Sequence, residues 1–293
     1  MRARRGLFPS QVLQPWGVSS LLFVLLLTLS VVVGPRAWLY PRLISLLTAG
    51  LGLALTAYLT RSEGSRPGPA PRPFVGLLLA LALMVLLFLR PHAFLPLPPG
   101  IVRDGFAKLG VWMLLPVALL LLSGVSWNHL GLASLLRLPG RFRSLLFALL
   151  ALLTIPAVAN PRVLLALVQA PWWQVALALP VAYGCALLGE ALPEEFFFRQ
   201  LLQPRLQAYF RSPAPAIVLQ ALLYGLARNG SLLGQERLWP VAFGMAALEG
   251  SLFGLLYGLL RDRTGLLALP VLLHAWCATW AALPEVLSRL PFR

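Results

Sequence analysis

The run GEALPEEFFFRQ, residues 189–200, gathers Glu190, Glu194 and Glu195 within six positions and adds Arg199. The whole chain has only nine Asp plus Glu, so a third of its acids stand here. Carboxylates are the usual carriers of protons in general acid–base catalysis, and an adjacent guanidinium is the usual partner for a carboxylate that must stay charged. Helical spacing sets Glu190 one turn before Glu194, and Glu195 one turn before Arg199. A solvated helix start with one ion pair, worth about half a kcal/mol, would also produce this pattern. The flanks argue against that reading, because FFF follows the acids at once and LLQ follows Arg199. Carboxylates at membrane depth are costly and face a bundle interior or a wet cavity, which favours a polar site.

Two local structures accommodate Pro193. It fits the first turn of a helix, where its missing N–H costs nothing and the helix dipole favours Glu194 and Glu195. Alternatively it kinks a longer helix continuing from the apolar stretch before it. Glu249 lies ten residues from Trp239 and twelve from Arg261 on an apolar stretch, near mid-membrane, and is a second candidate for function. Two pairings suit Arg228, one with Glu249 and one with Glu194. A protonated Glu249 bonded to a neighbouring helix is the alternative. Of the three histidines, His92 and His129 fall in loops, and His274 ends an apolar run. Cys185 and Cys277 form no CxxC pair and read as small core residues.

The elements that must carry these residues are apolar helices. The chain is 59% apolar and 11% charged, with a mean hydropathy of +0.82. A soluble domain carries roughly a quarter charged residues. Stretches near the roughly twenty residues needed for a span recur at 17–34, 37–60, 74–89, 109–127, 144–159, 172–192, 214–228, 239–260 and 266–282. Several are short, so the expectation is an all-α, polytopic bundle of about eight spans, give or take one. MRARRG before the first stretch suggests a signal peptide, but no small-x-small cleavage site follows, so a retained span is expected. RSEGSRPGPAPRP (61–73) and PHAFLPLPPG (91–100) are loops by their Pro and Gly content.

The net charge of +15 comes from arginines spread through the connections, with Lys108 as the one lysine. No basic stripe lies on a polar helix, so nucleic acid is not expected as a partner; topology and anionic headgroups explain the charge. The Arg excess in loops 60–73 and 128–143 suits a cytoplasmic N-terminus. Trp172, Trp173, Trp239, Trp276 and Trp280 suit an interfacial belt.

PEEFFFRQLLQPRL resembles the first motif, EExxxR, of the CPBP family, the CAAX proteases and bacteriocin-processing proteins also called Abi. These are polytopic intramembrane endopeptidases. GSLFGLLYGLLRDRTGLLALPVLLHAW (250–276) resembles the family's Gly-spaced helix, its R-T-G turn and the run ending in the third-motif histidine, here His274. The second motif, FxxxH, aligns with LQALLYGLARNG, where Tyr224 takes the aromatic place and Arg228 replaces the histidine. Ala278 stands where the third motif has Asn or Asp. The resemblance implies variable transmembrane helices over 1–171, a family core over 172–282 and a tail over 283–293. It also implies a base in Glu194, with Glu195, Arg199 and His274 in support, acting directly or through a divalent metal such as zinc. Glu194 and His274 are then the candidate ligands. An arginine neither accepts a proton nor binds a metal, so Arg228 is left to stabilise negative charge.

Three functions follow as expectations. The first is an endopeptidase hydrolysing a membrane-associated peptide or protein, in the plasma membrane of a prokaryote. The second is a relative that binds such a peptide without cutting it. The third is a small transporter or channel lined by Glu190, Glu194 and Glu249, for which no repeated half is visible.

Overall fold

The computed structural model describes residues 39–60, 101–122, 138–228 and 251–289, with isolated positions between 124 and 135. Glu249, His92, His129, Trp239 and the expected spans 17–34 and 74–89 lie outside the described residues, as does the first half of 239–260. Eight helices run through the described residues, which contain no strand. They are α1 (Leu39–Leu59), α2 (101–122), α3 (Arg143–Val158), α4 (Pro161–Gln169), α5 (Trp172–Phe210), α6 (Pro213–Arg228), α7 (Ser251–Thr264) and α8 (Ala268–Arg289). Four helical stretches among the described residues are long and apolar enough to cross a membrane: Asp104–Leu122, Gly140–Val158, Trp172–Phe210 and Ala268–Arg289. Many of their apolar side chains face outward, Leu122, Phe147, Ile155 and Leu177 among them. An outward apolar surface is what a multi-pass bundle presents to lipid.

Local sequence sets the helix ends. Asn160 caps α4, its side chain accepting from the Arg162 N–H at 3.0 Å, with Pro161 in the first turn. Arg211 stops α5 in the left-handed conformation (φ 53°), and Pro213 opens α6 two residues on. Gly265, at φ 70°, turns the chain out of α7 while its N–H donates to the Arg261 carbonyl at 3.0 Å. Only glycine enters that conformation without a Cβ penalty.

α5 differs from the expected 172–192 segment. It continues as one helix of 39 residues, so PEEFFFRQ lies in its interior and Pro193 does not start a new helix. The helix survives its prolines by widening. Leu187–Ala191 is π-helical and ends two residues before Pro193; Phe196–Leu202 is π-helical and ends two residues before Pro204. In α2, Leu109–Leu114 stands in the same relation to Pro116. A proline ring clashes with the carbonyl four residues back and offers no N–H, and a wider turn moves that carbonyl aside. Proline alone does not force the change, since Pro180 sits in ordinary α-helix.

The helices pack around one polar strip. α8 lies against the first half of α5 and against α3, where Trp276 Nε1 donates to Thr154 Oγ1 at 2.9 Å. α7 lies against α6 and α1, and α2 crosses the first π-helical turn of α5. At that crossing a Cβ on Gly105 would stand 3.0 Å from the Gly189 Cα, so the two backbones touch. Along the second half of α5, Arg199 Nη2 donates to Gly254 O at 3.4 Å, Gln203 Nε2 to Gly258 O at 3.0 Å and Gln207 Nε2 to Asp262 Oδ1 at 2.9 Å. Both helices advance by four residues per bond, so they run parallel side by side.

Small residues permit this closeness, as in other helix pairs that pack without a hydrophobic driving force between them. A Cβ on Gly254 would fall 2.8 Å from the Ala221 Cα of α6. Gly254→Leu is therefore expected to push α6 and α7 apart, costing about 1–3 kcal/mol of overpacking. A thermal melt of the detergent-purified protein checks this, with an unchanged midpoint contradicting the packing described.

Candidate functional site

Four helices bring charged side chains to one point. Two glutamates of the first motif divide the imidazole of His274 between them. Glu195 Oε1 lies 2.8 Å from Nδ1, and Glu194 Oε2 lies 3.7 Å from Nε2. Arg228 Nη1 approaches Nε2 at 2.8 Å. A guanidinium only donates, so Nε2 accepts, and the ring proton sits on Nδ1, from which it donates to Glu195. The hydrogen-bond network thereby assigns the neutral tautomer of His274. The ring is further held by stacking on Tyr257, centroids 5.5 Å apart at 17°, and by the edge of Tyr224 at 5.9 Å.

Beneath this, Glu195 and Arg199 form a pair with no exposure at all, Nε to Oε2 3.0 Å, one turn apart as their spacing requires. The Arg199 guanidinium lies 4.3 Å from the Tyr224 ring centroid and bonds to Gly254 O, which ties α5 to α6 and α7. Phe196, Phe197 and Phe198 are fully buried in the aromatic cluster with Trp112 and Tyr224. The triple phenylalanine thus walls the site and excludes water from the Glu195–Arg199 pair.

Above the imidazole the site opens. Arg228 Nη2 lies 2.6 Å from Glu190 Oε1, and Nη1 lies 3.2 Å from Glu194 Oε2 and 3.2 Å from the Tyr224 hydroxyl. Lys108 Nζ lies 2.6 Å from Glu194 Oε1. The side chain of Glu194 is 1% exposed, while Lys108, Glu190 and Arg228 are 31%, 27% and 36% exposed. A buried carboxylate thus sits at the base of a rim of two cations and one acid. Lys108 stands eight residues into α2, and His274 seven into α8. By helical rise both lie about 10 Å from their helix starts, while Glu194 is the twenty-third of the 39 residues of α5.

Glu194, Glu195, Arg199, Tyr224, Arg228 and His274, singled out from the sequence, all meet here. The pairing of Arg228 with Glu194 forms, joined by one with Glu190. Ala278 lies one turn beyond His274, buried and without a polar atom to offer. Sequence reasoning missed Lys108, whose one signal was being the sole lysine, and it set Glu190 one turn before Glu194 without naming a partner for it.

The ligand set is also wider than expected. Glu190, Glu194 and His274 each offer one ligand atom, all within 4.8 Å of one another, the one such group among the described residues. Two carboxylates and an imidazole suit zinc by chemistry. Their surroundings do not suit it, because Arg228 already contacts all three atoms and Lys108 holds the second oxygen of Glu194. With these cations in place the residues do not fit a divalent metal.

Residues 171–280 match the family model of the type II CAAX prenyl endopeptidases, Rce1-like. None of the curated proteins and none of the solved structures gives a significant match. The matched segment holds α5, α6, α7 and the first half of α8, and with them every site residue except Lys108. The segment is thus similar to the CAAX protease family.

Proposed function

Starting from a CAAX-protease-type domain, we propose that this protein hydrolyses a peptide bond in a membrane-associated peptide or protein, with Glu194 as the base. The observation that carries the reading is the meeting of Glu194, Arg228 and His274 from three helices at the base of the open rim. Glu194 accepts a proton from water as the water oxygen bonds to the scissile carbonyl carbon. The carbonyl oxygen becomes an oxyanion, and Arg228 and Lys108 are the donors near enough to oppose its charge. As the C–N bond breaks, the proton held by Glu194 passes to the leaving amine. His274 holds Arg228 through Nε2 and is itself held by Glu195 through Nδ1, so it acts as a positioning residue.

One observation favours a second reading, the binding of a membrane peptide without cleavage. The guanidinium of Arg228 already engages Glu190, Glu194 and His274, the atoms on which water would be activated. Incubating purified protein with a mixed-sequence library of amphipathic peptides separates the two. Hydrolysis requires cleavage by the wild type and its loss in Glu194→Ala and His274→Ala. Peptide retained but uncut by all three proteins supports the binding reading, and cleavage unaffected by either change removes these residues from the mechanism.

A further inference from the structure

We propose that Lys108 and Arg228 together replace a divalent metal ion, their two positive charges balancing Glu190 and Glu194 at the place where such an ion would bind. The charges in the cluster divide into two sets. Glu195 is balanced inside the protein by Arg199 at 3.0 Å. That leaves two carboxylates, Glu190 and Glu194, facing two cations, Lys108 and Arg228, with the His274 imidazole neutral by its hydrogen bonds. A dication would balance the same pair of acids.

Position as well as charge matches. The atoms offered by Glu190, Glu194 and His274 lie within 4.8 Å of one another. Arg228 nitrogens stand 2.6 Å from the first, 3.2 Å from the second and 2.8 Å from the third. A zinc ion would need to be about 2.0–2.2 Å from the same three atoms. An ion and a guanidinium nitrogen cannot both occupy so small a space, and their like charges oppose it further. Lys108 adds the second charge from outside the matched segment, seated by the backbone contact of Gly105 with Gly189. The same acids and imidazole are therefore held together by covalently attached cations. The inference concerns binding alone and stands whether or not the site cleaves peptides.

The test is Co²⁺ titration of the detergent-purified full chain, followed by visible absorption, with a thermal melt of each variant to show that it is folded. The wild type and Arg228→Lys are expected to show no stoichiometric ligand-field band. Arg228→His and Arg228→Gln vacate the position without its charge. Both are expected to raise Co²⁺ affinity by about 100-fold or more, with Arg228→His the stronger because it adds a ligand. The band must vanish when His274→Ala is added. Stoichiometric binding by the wild type that depends on His274 overturns the proposal. So does the absence of binding in every folded Arg228 variant, including one that also carries Lys108→Met.

Discussion

Arg199→Met is expected to destabilise the protein by about 3–5 kcal/mol, the cost of leaving a buried carboxylate without its cation. Glu195 and Arg199 are both wholly inaccessible, and water cannot reach Glu195 to replace the lost charge. The His274 Nδ1–H would remain as its one hydrogen-bond donor. The substitution also removes the guanidinium from above the Tyr224 ring and its bond to Gly254 O, loosening α5 from α6 and α7. The control is Arg289→Ala, which breaks a pair of the same one-turn spacing with Glu285 where the side chains are 62% and 38% exposed. A pair so wet contributes about 0–1 kcal/mol. Melting both variants in one detergent compares them directly, and equal midpoints would mean that the buried pair carries no special weight. Adding Glu195→Gln to Arg199→Met should recover much of the loss, because the uncompensated charge is then gone.

The second large effect is on chemistry. Glu194→Gln keeps the shape of the side chain and removes its capacity to take a proton. A general base is worth about 10²- to 10⁴-fold in rate, and a loss of that order in kcat is expected for peptide cleavage. KM should move far less, because Lys108, Glu190 and Arg228 still form the open rim. Glu190→Gln offers the contrast: it removes a carboxylate of the same rim that holds Arg228 but does not serve as base, so its effect should be smaller. Equal losses in the two variants would transfer the role from Glu194 to the cluster as a whole.

Much of this site is local in sequence and was legible there. The four-residue step from Glu195 to Arg199 is sufficient to place an ion pair on a helix, and it forms. The two glutamates at 194 and 195 announce that one stretch serves two directions, and they flank opposite nitrogens of His274. What could not be read is what depends on distant elements. Lys108 reaches Glu194 across 86 positions, through a contact of two glycines that no spacing rule connects. Glu190 was aligned with Glu194 but had no named partner until α6 supplied Arg228. Pro193, followed by charge, imitates a helix start, so the sequence left open whether the 172–192 helix ended there or continued as a longer one. The chain instead absorbs the proline in a π-helical turn, and the polar residues after it face other helices rather than water. The apolar composition carried the all-helical membrane bundle directly, since only helices fully bonded within themselves tolerate such a sequence in lipid.

Glu194, buried beneath the cations Lys108 and Arg228, is the group proposed to activate water. The most direct measurement is cleavage of the amphipathic peptide library by purified protein in H₂¹⁸O, wild type beside Glu194→Gln. New peptide carboxyl groups labelled with ¹⁸O are expected in the wild type and almost none in the variant. Labelled product formed at the same rate by both proteins would contradict that role for Glu194.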